Sequence, residues 1–241
     1  MASWFELNGT KSTDFGVVVE TYPPIILAAE RVQTYEVPGR HGDLEIREGA
    51  LKSIILPVEC AAKNTEHLNE FAGWVRKRGM LRFGNRENEA YEARMISQID
   101  VDQVMKGRSN RRFEVLFDCQ PFRYIWPEAA DEVIVTSEHS IGSYSLNNPG
   151  NVESEPKIVI EGTGEATVTI GLNMMSFSDL GGGLVVDSKV GECFNLEESL
   201  LMNDKIEIGD DDFPTLAPGA NLISWTGDVT KITITPRWRN G

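Results

Sequence analysis

The sequence predicts a mainly β protein of two domains, and three observations carry that expectation. Short β-rich runs recur along the chain between Gly, Pro and Asn turn signals, the pattern of β-sandwiches and barrels. One stretch, Asn64–Gly79, has clear helical periodicity. Charge is divided unevenly: residues 1–127 hold 17 Lys+Arg and 18 Asp+Glu, residues 128–241 hold 6 and 19, so a net −1 precedes a net −13. That break puts a boundary near Pro127, and 241 residues suffice for two domains with their own cores. We expect an N-terminal β-sandwich over residues 1–129 with one α-helix at 64–79. A C-terminal β-sandwich over 130–241 follows, with its last residues free to return to the first domain.

Taken in order, Trp4–Leu7, Asn8-Gly9 and Phe15–Val19 read as strand, turn, strand, because Asn and Gly tolerate the positive φ of a tight hairpin. Tyr22-Pro23-Pro24 interrupts, and Glu30–Val37 returns to strand. Val37-Pro38-Gly39-Arg40-His41-Gly42-Asp43-Leu44 is a turn-rich loop, and Leu51–Cys60 is β-rich again. In the helix, Asn64 or Thr65 is placed to cap unpaired backbone N–H groups. Leu68, Phe71, Ala72 and Val75 then form one apolar stripe at i, i+3, i+4 and i+7. Arg76, Lys77 and Arg78 suit its last turn, and Gly79 the left-handed position beyond it. Met80–Phe83, Ala90–Ile96 and Arg112–Cys119 are strands, the last with Phe113, Val115 and Phe117 on one face, and Met105–Asn110 is a loop. The second half offers strands at Val133–Val135, Ile158–Ile160, Ala166–Ile170, Leu184–Val186, Lys205–Ile208 and Lys231–Thr235. Turns at Asn147–Gly150, Gly162–Gly164, Gly181–Gly183 and Pro218–Asn221 separate them.

No apolar run reaches the roughly 18 residues of a membrane span, and the first residues lack the basic and apolar parts of a secretory signal. Synthesis in a cytoplasm, without membrane insertion, is expected. Cys60, Cys119 and Cys193 are widely spaced with no CxxC pair, which predicts buried free thiols. His41, His67 and His139 have no ligand spacing, which argues against zinc. The acidic second half argues against binding nucleic acid by phosphate neutralisation, and solubility is its simplest consequence.

Catalytic chemistry is marked nowhere. Gly181–Gly183 and Gly162-Thr163-Gly164 match no phosphate-loop spacing and are expected to be turns. Gly209–Pro214, with Asp210, Asp211 and Asp212, lacks the alternating ligands of a calcium loop and reads as a solvated turn. There is no GxSxG elbow, and no carboxylate pair is singled out for acid–base work. Arg76-Lys77-Arg78 with Arg82 reads as a solvated helix end. Trp74, Trp126, Trp225 and Trp238 can line a sugar cleft or serve a core or interface. We therefore expect no catalytic, cofactor-binding or metal site, and no enzyme.

Several pieces in series resemble the distal tail protein family of phages with long, non-contractile tails and of their prophages. They begin with the Asn8-Gly9 hairpin, Tyr35-x-Val37-Pro38-Gly39-Arg40-x-Gly42-x-Leu44, and Phe71-x-x-Trp74 leading to Gly79-x-Leu81-x-Phe83. Phe113-x-Val115-x-Phe117-x-Cys119-x-Pro121-Phe122-x-Tyr124 follows, then Asn148-Pro149-Gly150 with Ser154-x-Pro156. Asp212-Phe213-Pro214-x-Leu216-x-Pro218-Gly219-x-Asn221 and Pro236-Arg237-Trp238 complete the series across nearly the whole chain. The family pattern often has Asp where His41 stands and a single acid before Phe-Pro. The resemblance implies a galectin-like second domain and a homo-hexameric ring at the tail tip, a baseplate hub component of the virion. That ring joins the tail tube protein to the tail-tip protein that carries host recognition, and DNA passes through its centre without sequence-specific binding. Under this reading the Tyr35–Leu51 segment, turn-rich and outside any core, is an inter-subunit arm. Two other readings compete. A carbohydrate-binding module for host-surface adhesion lacks an obvious grouping of sugar contacts, and an enzyme acting on cell-wall glycans lacks a placed acid–base pair.

Overall fold

Asn8 and Gly9 turn the chain with positive φ, 52° and 81°, as a two-residue hairpin requires. They join β1 (Phe5–Leu7) to β2 (Thr10–Lys11). The computed structural model describes residues 3–63, 66–100, 111–136, 141–209 and 212–241. The chain divides into two units, Met1–Arg123 with Gly241, and Tyr124–Asn240.

In the first unit a 3-10 turn at Ser12–Phe15 leads to β3 (Val17–Thr21), β4 (Glu30–Tyr35), β5 (Leu44–Leu51) and β6 (Ile54–Ala62). Then come α1 (Leu68–Val75), β7 (Gly79–Phe83), β8 (Arg86–Met95) and β9 (Arg112–Ile125). The order β2-β1-β7-β8-β9-β6-β3 makes one sheet. At its far end the Val19 N–H donates to the Ser3 carbonyl (3.0 Å), so the last strand returns beside the first and the sheet curls. Residues along β6 alternate: Ile54, Leu56, Val58 and Cys60 turn into the core with Val115 and Phe117 of β9. The helix closes that core with Leu68, Phe71, Trp74 and Val75. Trp74 stacks on Phe5 (5.5 Å between centroids) and leans on Phe15 (4.9 Å), while Phe117 meets Phe5 edge-on (5.4 Å).

The helix spans its apolar stripe and is shorter than the 64–79 that the capping and charge signals predict. It starts at Leu68 and ends at Val75, with Trp74 on its buried side and Ala72 only half-buried. Arg76–Arg78 lie beyond its last turn, and Gly79 opens β7 without a positive φ. Glycine is required there for space: a Cβ would stand 1.8 Å from Asn8 Oδ1. The Asn8 side chain fills that gap, donating to the Arg78 carbonyl (3.0 Å) and accepting from the Met80 N–H (2.9 Å). The caps expected at Asn64 or Thr65 and the loop at Met105–Asn110 lie outside the described residues.

The second unit contains β10 (Val133–Thr136), β11 (Ile141–Asn148), β12 (Lys157–Ile170), β13 (Asn173–Phe177) and β14 (Gly182–Asp187). It continues through β15 (Glu192–Asn195), β16 (Ile206–Ile208), β17 (Gly219–Thr235) and β18 (Arg239–Asn240). A long antiparallel pair, β12 with β17, is its spine. β10 and β11 pair with β17, β13 and β14 with β12, β16 with β13, and β15 with β14. Across the spine Ile158 opposes Ile234, Ile160 opposes Ile232, Val168 opposes Trp225 and Ile170 opposes Ile223, all of them buried.

Gly162-Thr163-Gly164 is not a turn between two strands. β12 runs straight through it, with register slips at Glu161/Gly162 and Thr163/Ala166. A Cβ on Gly162 would lie 2.3 Å from the Asp228 carbonyl oxygen, so the glycine admits the neighbouring backbone at a bulge. β11, β13 and β15 escape the sequence reading because they are short on β-branched residues and rich in polar ones or Met. Overall the described residues are mainly β, with one α-helix.

Candidate assembly interface

β4 and β5 form a two-stranded sheet of their own. Every residue in the two strands is exposed except Val32 and Leu51, which are half-buried. Tyr35 opposes Leu44 and Gln33 opposes Ile46, so these four share a face. There the Tyr35 hydroxyl donates to Gln33 Oε1 (2.6 Å) and the Gln33 amide donates to the Glu48 carboxylate. The other face holds Thr34 opposite Glu45 and Val32 opposite Arg47, with Arg47 near Glu30 (3.7 Å) and Glu45 (3.8 Å). The connection between the strands bends at Gly39 and Gly42, both at positive φ. The segment expected as an arm is thus a regular hairpin, with strand where only a loop was legible beyond Leu44. A lone two-stranded hairpin is marginally stable in water. A face exposing Tyr35, Leu44 and Ile46, flanked by strand edges that pair with no further strand among the described residues, is a surface suited to a partner.

At the base of the arm lies a cleft of about 290 Å³ lined by Arg31, Leu51, Ser53, Arg78, Arg94 and Asp118, among others. Asp118 accepts from Arg94 Nε (3.0 Å) and Nη2 (2.9 Å). A hydrogen bond from Ser53 is the largest effect and lowers the Asp118 carboxyl; burial opposes it, and the hydrogen bonds and charge of Arg94 add to the lowering, so the carboxyl stays below its ordinary value. Of the basic run, Arg78 therefore edges a cleft, while Arg82 pairs with Glu6 (3.0 Å).

The resemblance motifs of the second half are structural locks. Asn148 is buried and donates to the Leu216 (2.9 Å) and Val152 (3.2 Å) carbonyls while accepting from the Gly150 N–H (2.8 Å). Asn221 accepts from the Ala217 N–H (2.9 Å) and donates back to the Ala217 carbonyl (2.8 Å). Arg237, at φ 54°, donates to both carboxylate oxygens of Asp187 (2.6 and 2.8 Å). Arg239 donates to the Glu153 carbonyl (2.8 Å) and to Glu155 (3.1 Å). Sequence reading missed this ion-pair network, because Asp187 and Glu155 have no spacing that ties them to the C-terminus.

Cys60, Cys119 and Cys193 are free and buried, as expected. Burial pushes their thiols up to about 12, about 12 and about 11. His41 sits in the turn of the arm, His67 contacts Glu70 (3.1 Å), and His139 lies outside the described residues, as do Asp210 and Asp211. Trp74, Trp225 and Trp238 are buried and Trp126 is half-buried, so none of the four stands out as an exposed sugar platform.

No protein-family model matches the sequence, and no curated protein matches it. Among solved structures the chain is similar to the crystal structure of SPP1 Dit (gp 19.1), described as a paradigm of the hub adsorption apparatus in phages infecting Gram-positive bacteria. The match covers 97% of this chain and 98% of that chain, with a TM-score of 0.67 and 14% sequence identity. It is a likeness of fold along the whole of both chains.

Proposed function

We propose that this chain is a structural, non-enzymatic subunit of a phage tail tip. Six copies close into a ring that joins the tail tube to the tail-tip protein, and DNA passes through the ring's centre. The observation that carries the reading is the end-to-end likeness to the SPP1 hub protein. The arm supports it, because a hairpin with an exposed apolar face and open edges suits a neighbouring subunit. Residues 1–129 form the ring in this reading, and residues 130–241 form a galectin-like sandwich. Each subunit presents different patches to its two neighbours, a heterologous contact that closes into a cycle. The protein is made in the cytoplasm of a bacterial host and resides at the virion tail tip.

Native mass measurement tests this directly, with a closed hexamer as the expected outcome. Deleting His41–Gly49 is expected to leave a monomer with unchanged far-UV circular dichroism and no rings. Intact rings after the deletion would remove the arm from the contact, and a wild-type protein that stays monomeric at all concentrations would remove the ring.

A further inference from the structure

Between β3 and the arm, residues 22–29 run without a turn and, after Tyr22, carry no polar side chain. Ile26 and Ala28 pack against the core of the first unit, whereas Ile25 and Leu27 stand 51% and 70% exposed. That alternation has the period of a strand. Yet none of the strands among the described residues pairs with the segment. The Ala29 carbonyl accepts from the Lys52 N–H (2.8 Å), but the backbone groups of Ile25, Ile26, Leu27 and Ala28 have no hydrogen-bond partner among the described residues. An extended segment with a bare backbone and bare apolar side chains is a template for a further strand.

The arm carries what this segment lacks. The outer edge of β5 pairs with no further strand among the described residues, and Leu44 and Ile46 stand exposed on one of its faces. At the arm's tip Glu36 and Asp43 are exposed and make no ion pair among the described residues. The cleft at the arm's base is opposite in charge, with Arg31, Arg78 and Arg94 set against Glu92 and Asp118. Residues 30–51 are all exposed but for Val32 and Leu51, which approaches the roughly 20–30 residues a side of a stable interface.

We propose that β5 of one copy adds as an antiparallel strand to residues 24–29 of the next copy, with Leu44 beside Leu27 and Ile46 beside Ile25. This rests on the ring reading and names the surface that receives the arm. Both surfaces belong to residues 1–129, which form the ring in that reading. The antiparallel sense follows from charge: it carries Asp43 and the tip past Ala29 toward Arg31 and the basic cleft, whereas a parallel sense turns the tip toward Pro23. Backbone hydrogen bonds fix the register, and burial of the leucines and isoleucines supplies affinity. Strand and template are different surfaces of one chain, so the contact passes from copy to copy and can close into a ring.

Full-length protein carrying Leu27→Asp tests the receiving surface. The position is exposed, so far-UV circular dichroism and Tm are expected to match the wild type. Self-association, followed by sedimentation, is expected to weaken at least about tenfold. A second measurement reads the register by mixing a Leu27→Cys chain with a Leu44→Cys chain under a mild added oxidant. Opposed residues of an antiparallel pair lie about 4.5–5.5 Å apart at Cα, within reach of a disulfide. The three native thiols are buried, so a covalent dimer is expected in the mixture and in neither chain alone. A Glu45→Cys chain, with its thiol on the other face of β5, is expected to cross-link poorly to the same Leu27→Cys partner. Equal yields from Leu44→Cys and Glu45→Cys, no cross-link from either, or unchanged rings in the Leu27→Asp protein overturn the strand addition while leaving the ring reading in place. A wild-type protein that does not self-associate overturns both.

Discussion

Asp187 and Arg237 show how much a single side-chain pair contributes here. Burial pulls the Asp187 carboxyl upward, but the hydrogen bonds and charge of Arg237, helped by the N–H groups of Val190 and Lys189, outweigh it and hold the carboxyl below its ordinary value of 3.8. A group depressed on folding adds stability above its unfolded value and loses it as pH falls through the folded one. The Asp187→Asn variant is expected to lose about 1.5–3 kcal/mol at neutral pH, because the half-buried Arg237 loses a charged hydrogen-bond partner. The gap between variant and wild type narrows as pH falls below about 4, where the unfolded chain's carboxyl takes up its proton, and closes as pH falls through the lower folded value. Urea titrations at pH 7 and pH 3 measure both. At this scale the sequence is legible in part. Asn8-Gly9 announces its own turn, because both torsions belong to the residues themselves. Gly79 announces the wrong one: its need for glycine comes from the side chain of Asn8, a neighbour 71 positions away, and local sequence cannot express that.

Among the elements, those with one face on a core were the most readable. β6 and β9 alternate visibly because water lies on one side and Phe5, Phe71 and Trp74 on the other. The helix was readable as a helix and its apolar stripe marked its extent, whereas Arg76–Arg78 and Gly79 pointed to a longer one. The arm was readable only as something outside the core, since nothing in Leu44-Glu45-Ile46 says that no second layer covers it. β12 was split in two, because a bulge and a turn ask for the same glycines. The arm gives a prediction of its own. With both edges open and almost every residue exposed, it is expected to be the first segment cut by trypsin in unassembled protein, at Arg40 and Arg47. Assembly into rings is expected to slow those cuts at least tenfold relative to cuts elsewhere, read by mass spectrometry of the early fragments.

On the scale of the whole molecule, the charge break near Pro127 lies close to where the fold divides, between Arg123 and Tyr124. The C-terminal segment is tied to the residues that open the second unit. The Trp238 carbonyl accepts from Ile125, the Arg237 N–H donates to the Ala129 carbonyl, and Trp238 itself is buried. Removing a buried Trp costs about 3–5 kcal/mol, on the order of the entire stability of a small domain. Deleting residues 236–241 is therefore expected to unfold the second unit, with loss of the near-UV signal of Trp225 and gain of ANS binding. The β12–β17 spine also sets a timetable. The core strands of the first unit are complete once β9 has been made, whereas Ile158 meets Ile234 only after almost the last residue is added. At roughly 5–20 residues per second, the ribosome gives the first unit on the order of ten seconds to settle. For the later part of that interval β12 has been made and β17 has not, and that nascent strand is where a cell's holding chaperones are needed.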